Sequence, residues 1–104
     1  MKMVMAFIRP EVADLVIRNL GADGFTALSR MDVYGRGKQN GVNVRGSSYD
    51  MPKTMLITVV DDDSTREVVE AIGNSARTGN IGDGKIFVTP VIDAYTVRTG
   101  EVGL

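Results

Sequence analysis

The sequence predicts one α+β domain of βαββαβ order: a four-stranded antiparallel sheet, two helices on one face, and a long loop between strands 2 and 3. Three observations predict it. Four short apolar segments of strand character and two with apolar residues at helical spacing follow in the order β-α-β, loop, β-α-β. Glycine and proline punctuate the joins between those segments. Two such halves with right-handed crossovers interleave into a single sheet, the ferredoxin-like arrangement.

The elements follow in order. Residues 1–8 set Met1, Met3, Met5 and Phe7 against Lys2, Val4, Ala6 and Ile8, as a buried strand requires. Pro10 fixes the start of a helix, and Val12, Leu15, Val16 and Leu20 form its inward stripe. Gly21 and Gly24 stop it. Residues 25–34 return to a strand with Phe25, Ala27, Met31 and Val33 on one face. Residues 35–52 carry four glycines, little apolar periodicity and no predicted element, which marks a functional or disordered loop.

Thr54 to Val60 is the third strand, with Met55, Leu56 and Ile57 apolar on both faces as in a central strand. Asp61, Asp62 and Asp63 lack the spacing of a calcium loop. They precede a capping box in which Ser64 caps a helix and Glu67 reaches back. That helix turns Val68, Val69, Ile72 and Ala76 inward and ends near Thr78 and Gly79. Residues 85–89 form the fourth strand, and 95–99 a short terminal one. With no helix left for the second face of the sheet, other subunits are expected to cover it.

Composition excludes several kinds of chemistry. The chain has no Cys and no His, so a thiolate nucleophile, an Fe–S cluster, a zinc site and a histidine general base are all ruled out. A net charge of −1 leaves no basic footprint for nucleic acid. The central strands also lack the paired aromatics of an RNA-binding sheet. No apolar run reaches the ~20 residues of a membrane span, and the N-terminus has no signal-peptide layout, so a cytoplasmic location is expected. A phosphate-cleaving enzyme would have to use Asp83 or Glu101, and neither has an evident partner, so no enzymatic activity is expected.

The chemistry lies in glycine-rich segments. In Thr78 to Val88, Gly79, Gly82 and Gly84 bracket Asp83 and run through Lys85 into a strand. Such a turn uncovers backbone N–H groups for an anion, and Lys85 adds a compact charge. A strand, not a helix, comes next, which excludes the usual P-loop. An ordinary turn built on Asp83-Gly84 is the other reading. Tyr34 to Gly41 interleaves glycines with Arg36, Lys38 and the amide of Gln39, as either an anion site or a solvated loop. Arg9 and Lys53 flank prolines at strand ends, where a cation can hold an anionic ligand beside the sheet or simply end the strand as an exposed basic residue. Tyr49 is a candidate modification site or partner anchor, or simply a surface aromatic.

Taken together, and in this order, these segments resemble the PII nitrogen-regulatory family along the whole chain. The resemblance is carried by Arg9-Pro10, Tyr34-Gly35-Arg36-Gly37-Lys38-Gln39, Arg45-Gly46-Ser47-Ser48-Tyr49, Pro52-Lys53, the block from Ala76 to Val88, and Val97-Arg98-Thr99-Gly100-Glu101. Asp32-Val33-Tyr34-Gly35-Arg36-Gly37, the short loop and Tyr95 to Gly100 are most similar to the nitrogenase-associated (NifI-type) branch.

The resemblance implies a trimer with ATP or ADP between subunits. Gly82, Asp83, Gly84 and Lys85 would wrap the phosphates, joined by Arg98, with Gly35, Gly37 and Lys38 at the loop base and Ser29 and Val59 at the nucleobase. Gln39 would share Mg2+ with ATP and 2-oxoglutarate, whose carboxylates Arg9, Lys53 and the backbone of Gly41 would hold. The implied partners are nitrogenase and a sister PII-type subunit; an ammonium transporter or glutamine synthetase is the alternative target. Lys38 and Thr96 stand where the family usually carries arginines.

Overall fold

Strand β1 (Lys2–Ile8) lies at the centre of the sheet in a computed structural model of the chain. The structure describes residues 1–36, 42–44 and 47–104, with backbone only at 42–44 and 47–49. After β1 come α1 (Pro10–Ala22), β2 (Ser29–Gly35), a small hairpin of β3 (Val42–Val44) and β4 (Ser47–Tyr49), then β5 (Met51–Val60), α2 (Thr65–Ala76) and β6 (Gly84–Pro90). The main sheet has the order β2-β5-β1-β6 and every pairing is antiparallel. Each helix therefore crosses over one intervening strand, which gives the interleaved α+β topology expected from the sequence.

Register decides which residues meet the helices. Pairing Val4 with Thr58, Ala6 with Leu56 and Ile8 with Thr54 puts all six on one face. There they are buried against Ala13, Val16 and Leu20 of α1 and Val68, Ile72 and Ala76 of α2. Thr58 satisfies its hydroxyl by donating to the Ala27 carbonyl at 2.8 Å. The opposite face carries Met3, Met5, Phe7, Met55, Ile57 and Phe87, and no element of the chain among the described residues covers it. Phe7 and Phe87 meet edge to face there, with centroids 6.0 Å apart. No helix among the described residues is long and apolar enough to cross a membrane.

Several local expectations change. Helix α1 runs through Gly21 and stops at Gly24 (φ +92°), where Phe25 N–H bonds to Leu20 O and Gly24 N–H to Gly21 O. This is the paired C-terminal closure that a left-handed glycine permits. Leu15 is 42% exposed, because Val12, Ala13, Val16, Ile17 and Leu20 already fill the inward stripe. Phe25 packs on the core ahead of β2 rather than within it, and Met31 faces away from the helices.

The Ser64 capping box does not form. A 3-10 turn at Asp62–Ser64 leads into α2, so Ser64 already has helical angles and makes no side-chain cap. Asp62 instead pairs with the N-terminal ammonium at 3.0 Å, which lowers its pKa. The long loop contains the β3–β4 hairpin, and β5 begins earlier than expected, at Met51. The terminal strand reduces to one bridge between Tyr95 and Val102.

Candidate functional site

The same register that buries the core leaves a cavity of about 460 Å³ on the opposite face, at the end of the sheet. Val33 pairs with Lys53 and Phe7 with Lys85, which places both lysines on the helix-free side. Phe7, Val33, Met51 and Phe87 form its apolar wall, and Tyr34, Gly35 and Arg36 bring in the loop base. Gly82 and Gly84 close the other edge. Among the described residues, three cations and no carboxylate line this space, so it suits an anionic ligand with an apolar or aromatic part.

The glycine turn is held from several directions. Lys53 Nζ donates to the Gly82 carbonyl at 2.6 Å, and Arg9 Nη2 to the Ile81 carbonyl at 2.8 Å. Gly79, Gly82 and Gly84 all have left-handed φ, and the space where a Cβ at Gly82 would point is taken by the Arg9 guanidinium, 3.2 Å away. Asp83 accepts from Thr78 N–H at 2.8 Å, Gly79 N–H at 2.9 Å and the Thr78 hydroxyl. Arg9 Nε lies 3.4 Å from the same carboxylate. The Thr78 hydroxyl first, then the backbone donors and Arg9, hold the Asp83 pKa down to about 2.

A depressed carboxylate pKa gives stability that is present above the unfolded value and lost as pH falls through the folded one. Urea titrations of the wild type and Asp83→Asn are therefore expected to differ by a constant amount above roughly pH 4. The gap should close toward pH 2, the folded-state value. A gap unchanged across this range would separate Asp83 from the effect.

Of the residues singled out from sequence, Gly35, Lys53, Gly82, Gly84 and Lys85 meet at the cavity, and Arg9 and Asp83 stand behind the turn. Ser29 and Val59 share the helix-free face but lie further along it, opposite Ile57 and Met3. Arg98 is exposed in a tail turn closed by Thr96 N–H to Glu101 O, and does not line the cavity. Gly37, Lys38, Gln39 and Gly41 lie outside the described residues, and the side chain of Tyr49 is not described.

Arg36, named from the sequence only as one charge of the glycine-interleaved segment, is placed by the structure at the cavity. It lines the cavity and donates from Nε to Asp50 Oδ1 at 2.7 Å, joining the two stems of the loop. Its place among interleaved glycines was the available signal. Phe7 and Phe87 follow from period-two alternation once the strand order is known. Among the described residues no cluster of three acidic side chains is placed to hold a metal ion.

A family model described as nitrogen regulatory protein P-II matches residues 1–101. The chain is 52% identical to the nitrogen fixation nifHD region glnB-like protein 1 of Methanococcus maripaludis, over 100% of both chains. It is 53% identical to the nifHD region GlnB-like protein 1 of Methanothermobacter marburgensis, again over 100% of both. Among solved structures, the Arabidopsis thaliana PII bound to citrate superposes with a TM-score of 0.82 at 37% identity, covering 98% of this chain and 84% of that one.

Proposed function

The chain belongs to the nitrogen regulatory protein P-II family, and from that premise we propose that it is a non-enzymatic sensor of ATP or ADP and 2-oxoglutarate that restrains nitrogenase by direct contact. The observation that carries the reading is the cavity between the glycine turn and the loop base, lined among the described residues by cations and no carboxylate, with Lys53 bridging to the turn at Gly82. Phosphates take the turn and Lys85. The carboxylates of 2-oxoglutarate take Lys53 and Arg9, and the loop over residues 35–52 changes its readiness to dock as they bind.

Ser29, Val59 and Arg98 stand apart from the cavity within one chain. In a trimer that buries the uncovered apolar face, a neighbouring subunit supplies them to the same cleft. A sister PII-type subunit can take the neighbour's place. A citrate-bound PII relative supports a cleft that accepts carboxylates. Mg2+ prefers hard oxygen ligands and is commonly held by substrate phosphates with retained waters, so Gln39 would add one oxygen to those of ATP and 2-oxoglutarate. Relatives described by a nitrogen fixation region favour nitrogenase over an ammonium transporter or glutamine synthetase as the target. A cytoplasmic location follows from that target.

Calorimetric titration of 2-oxoglutarate, with and without Mg-ATP, tests the reading. Binding is expected only with Mg-ATP present and is expected to vanish in Gln39→Ala. A protein that takes up neither ATP nor 2-oxoglutarate, alone or together, overturns it.

A further inference from the structure

Asp83 belongs to the turn that takes nucleotide phosphates in the proposed function, and the role inferred for it rests on that reading. Its carboxylate, however, does not line the cavity. Oδ2 accepts from the backbone N–H of Thr78 and of Gly79, and Oδ1 from the Thr78 hydroxyl. The Thr78 oxygen in turn accepts from Asn80 N–H at 3.2 Å, and Arg9 Nε sits 3.4 Å from Oδ1. A carboxylate turned toward phosphates would add repulsion. One turned back into its own loop adds order instead.

Order is what this segment lacks by composition. Three left-handed glycines in six residues give an unanchored chain many conformations to lose when a ligand arrives. We propose that Asp83 is a positioning residue and not a phosphate ligand: with Thr78 as its anchor, it presets the turn for a nucleoside triphosphate and holds Arg9 beside the carboxylate site. One side chain thereby links the two halves of the cleft, since Arg9 also donates to Ile81 O in the same turn.

The test compares Mg-ATP binding by calorimetry in the wild type, Thr78→Val, Thr78→Ser, Asp83→Asn and the Thr78→Val/Asp83→Asn double variant. Amide exchange of residues 78–84 is followed in parallel without nucleotide. Thr78→Val, which alters no cavity-lining residue, is expected to bind about tenfold more weakly, the scale of a lost hydrogen bond to a charged group. Thr78→Ser should bind as the wild type does. The double variant should be no weaker than the weaker single one, because both remove one anchor.

Weakened binding in Asp83→Asn with wild-type binding and exchange in Thr78→Val would overturn the proposal and make Asp83 a direct ligand. If the wild type itself binds no ATP, the functional reading fails and exchange alone judges the anchor. Faster exchange at 82–84 in Thr78→Val supports it, and unchanged exchange overturns it.

Discussion

Gly84→Ala is expected to cost more stability than any other single-methyl change in the sheet, about 4 kcal/mol or more out of the 5–15 typical of a domain. An alanine Cβ at this position would stand 1.8 Å from the carbonyl oxygen of Phe7 and 2.9 Å from its carbon. Both are backbone atoms of the central strand, so no side-chain rotation relieves the clash. The φ of +119° adds a second penalty, since that region is almost closed to residues with a Cβ. To accommodate the methyl, β6 must retreat from β1 at the Ile8–Gly84 pair, the point where the strand hands over to the glycine turn.

Urea denaturation of Gly84→Ala beside Gly21→Ala provides the check. Gly21 lies within α1 with nothing within 4 Å of its Cβ position. Alanine there should stabilise by about 0.5–1 kcal/mol through helix propensity. Equal stability in the two variants would mean that β1 and β6 do not approach as described.

Lys53→Met is expected to abolish most 2-oxoglutarate binding while leaving the protein folded. Losing the charged partner of a carboxylate in a partly enclosed site costs on the order of a hundredfold in affinity. Methionine keeps the apolar stem along the cavity wall beside Val33 and Met51. The Gly82 carbonyl loses the donor now 2.6 Å away, but Gly82 is only half-buried and water can replace it. Calorimetry with Mg-ATP should show the loss, and thermal unfolding should show a small change beside that of Gly84→Ala. Undiminished affinity would remove Lys53 from the ligand site and leave it as a support for the turn.

The legible parts of the fold were those with strong periodicity. Residues 3–8 are apolar throughout and read as a buried strand without showing that Val4, Ala6 and Ile8 face the helices, whereas Val68, Ile72 and Ala76 recur at helical spacing, so that helix and its inward face could be read. Leu15 could not, because a helix stripe broad enough for Val12, Ala13, Val16, Ile17 and Leu20 leaves only one side of the cylinder to the core. Ser64 to Glu67 has the letters of a capping box, but the 3-10 turn ahead of it fixes Ser64 at helical angles. A cap needs the chain to arrive extended, and here it arrives as a 3-10 turn.

For the site, the sequence by itself determined the residue chemistry at hand: no thiol or imidazole, glycines that uncover backbone, and Arg9, Lys53 and Lys85 as cations at strand ends. These follow from residue type and local spacing, which every stretch of chain carries with it. Only the tertiary structure decided which of them share one space. Register across β2, β5, β1 and β6 puts Lys53 and Lys85 on the same face and brings Arg36 and Phe7 to them. It also turns Asp83 away from the cavity onto Thr78. A strand's two faces alternate residue by residue, so one step of register would exchange them all, and no local pattern records which step was taken.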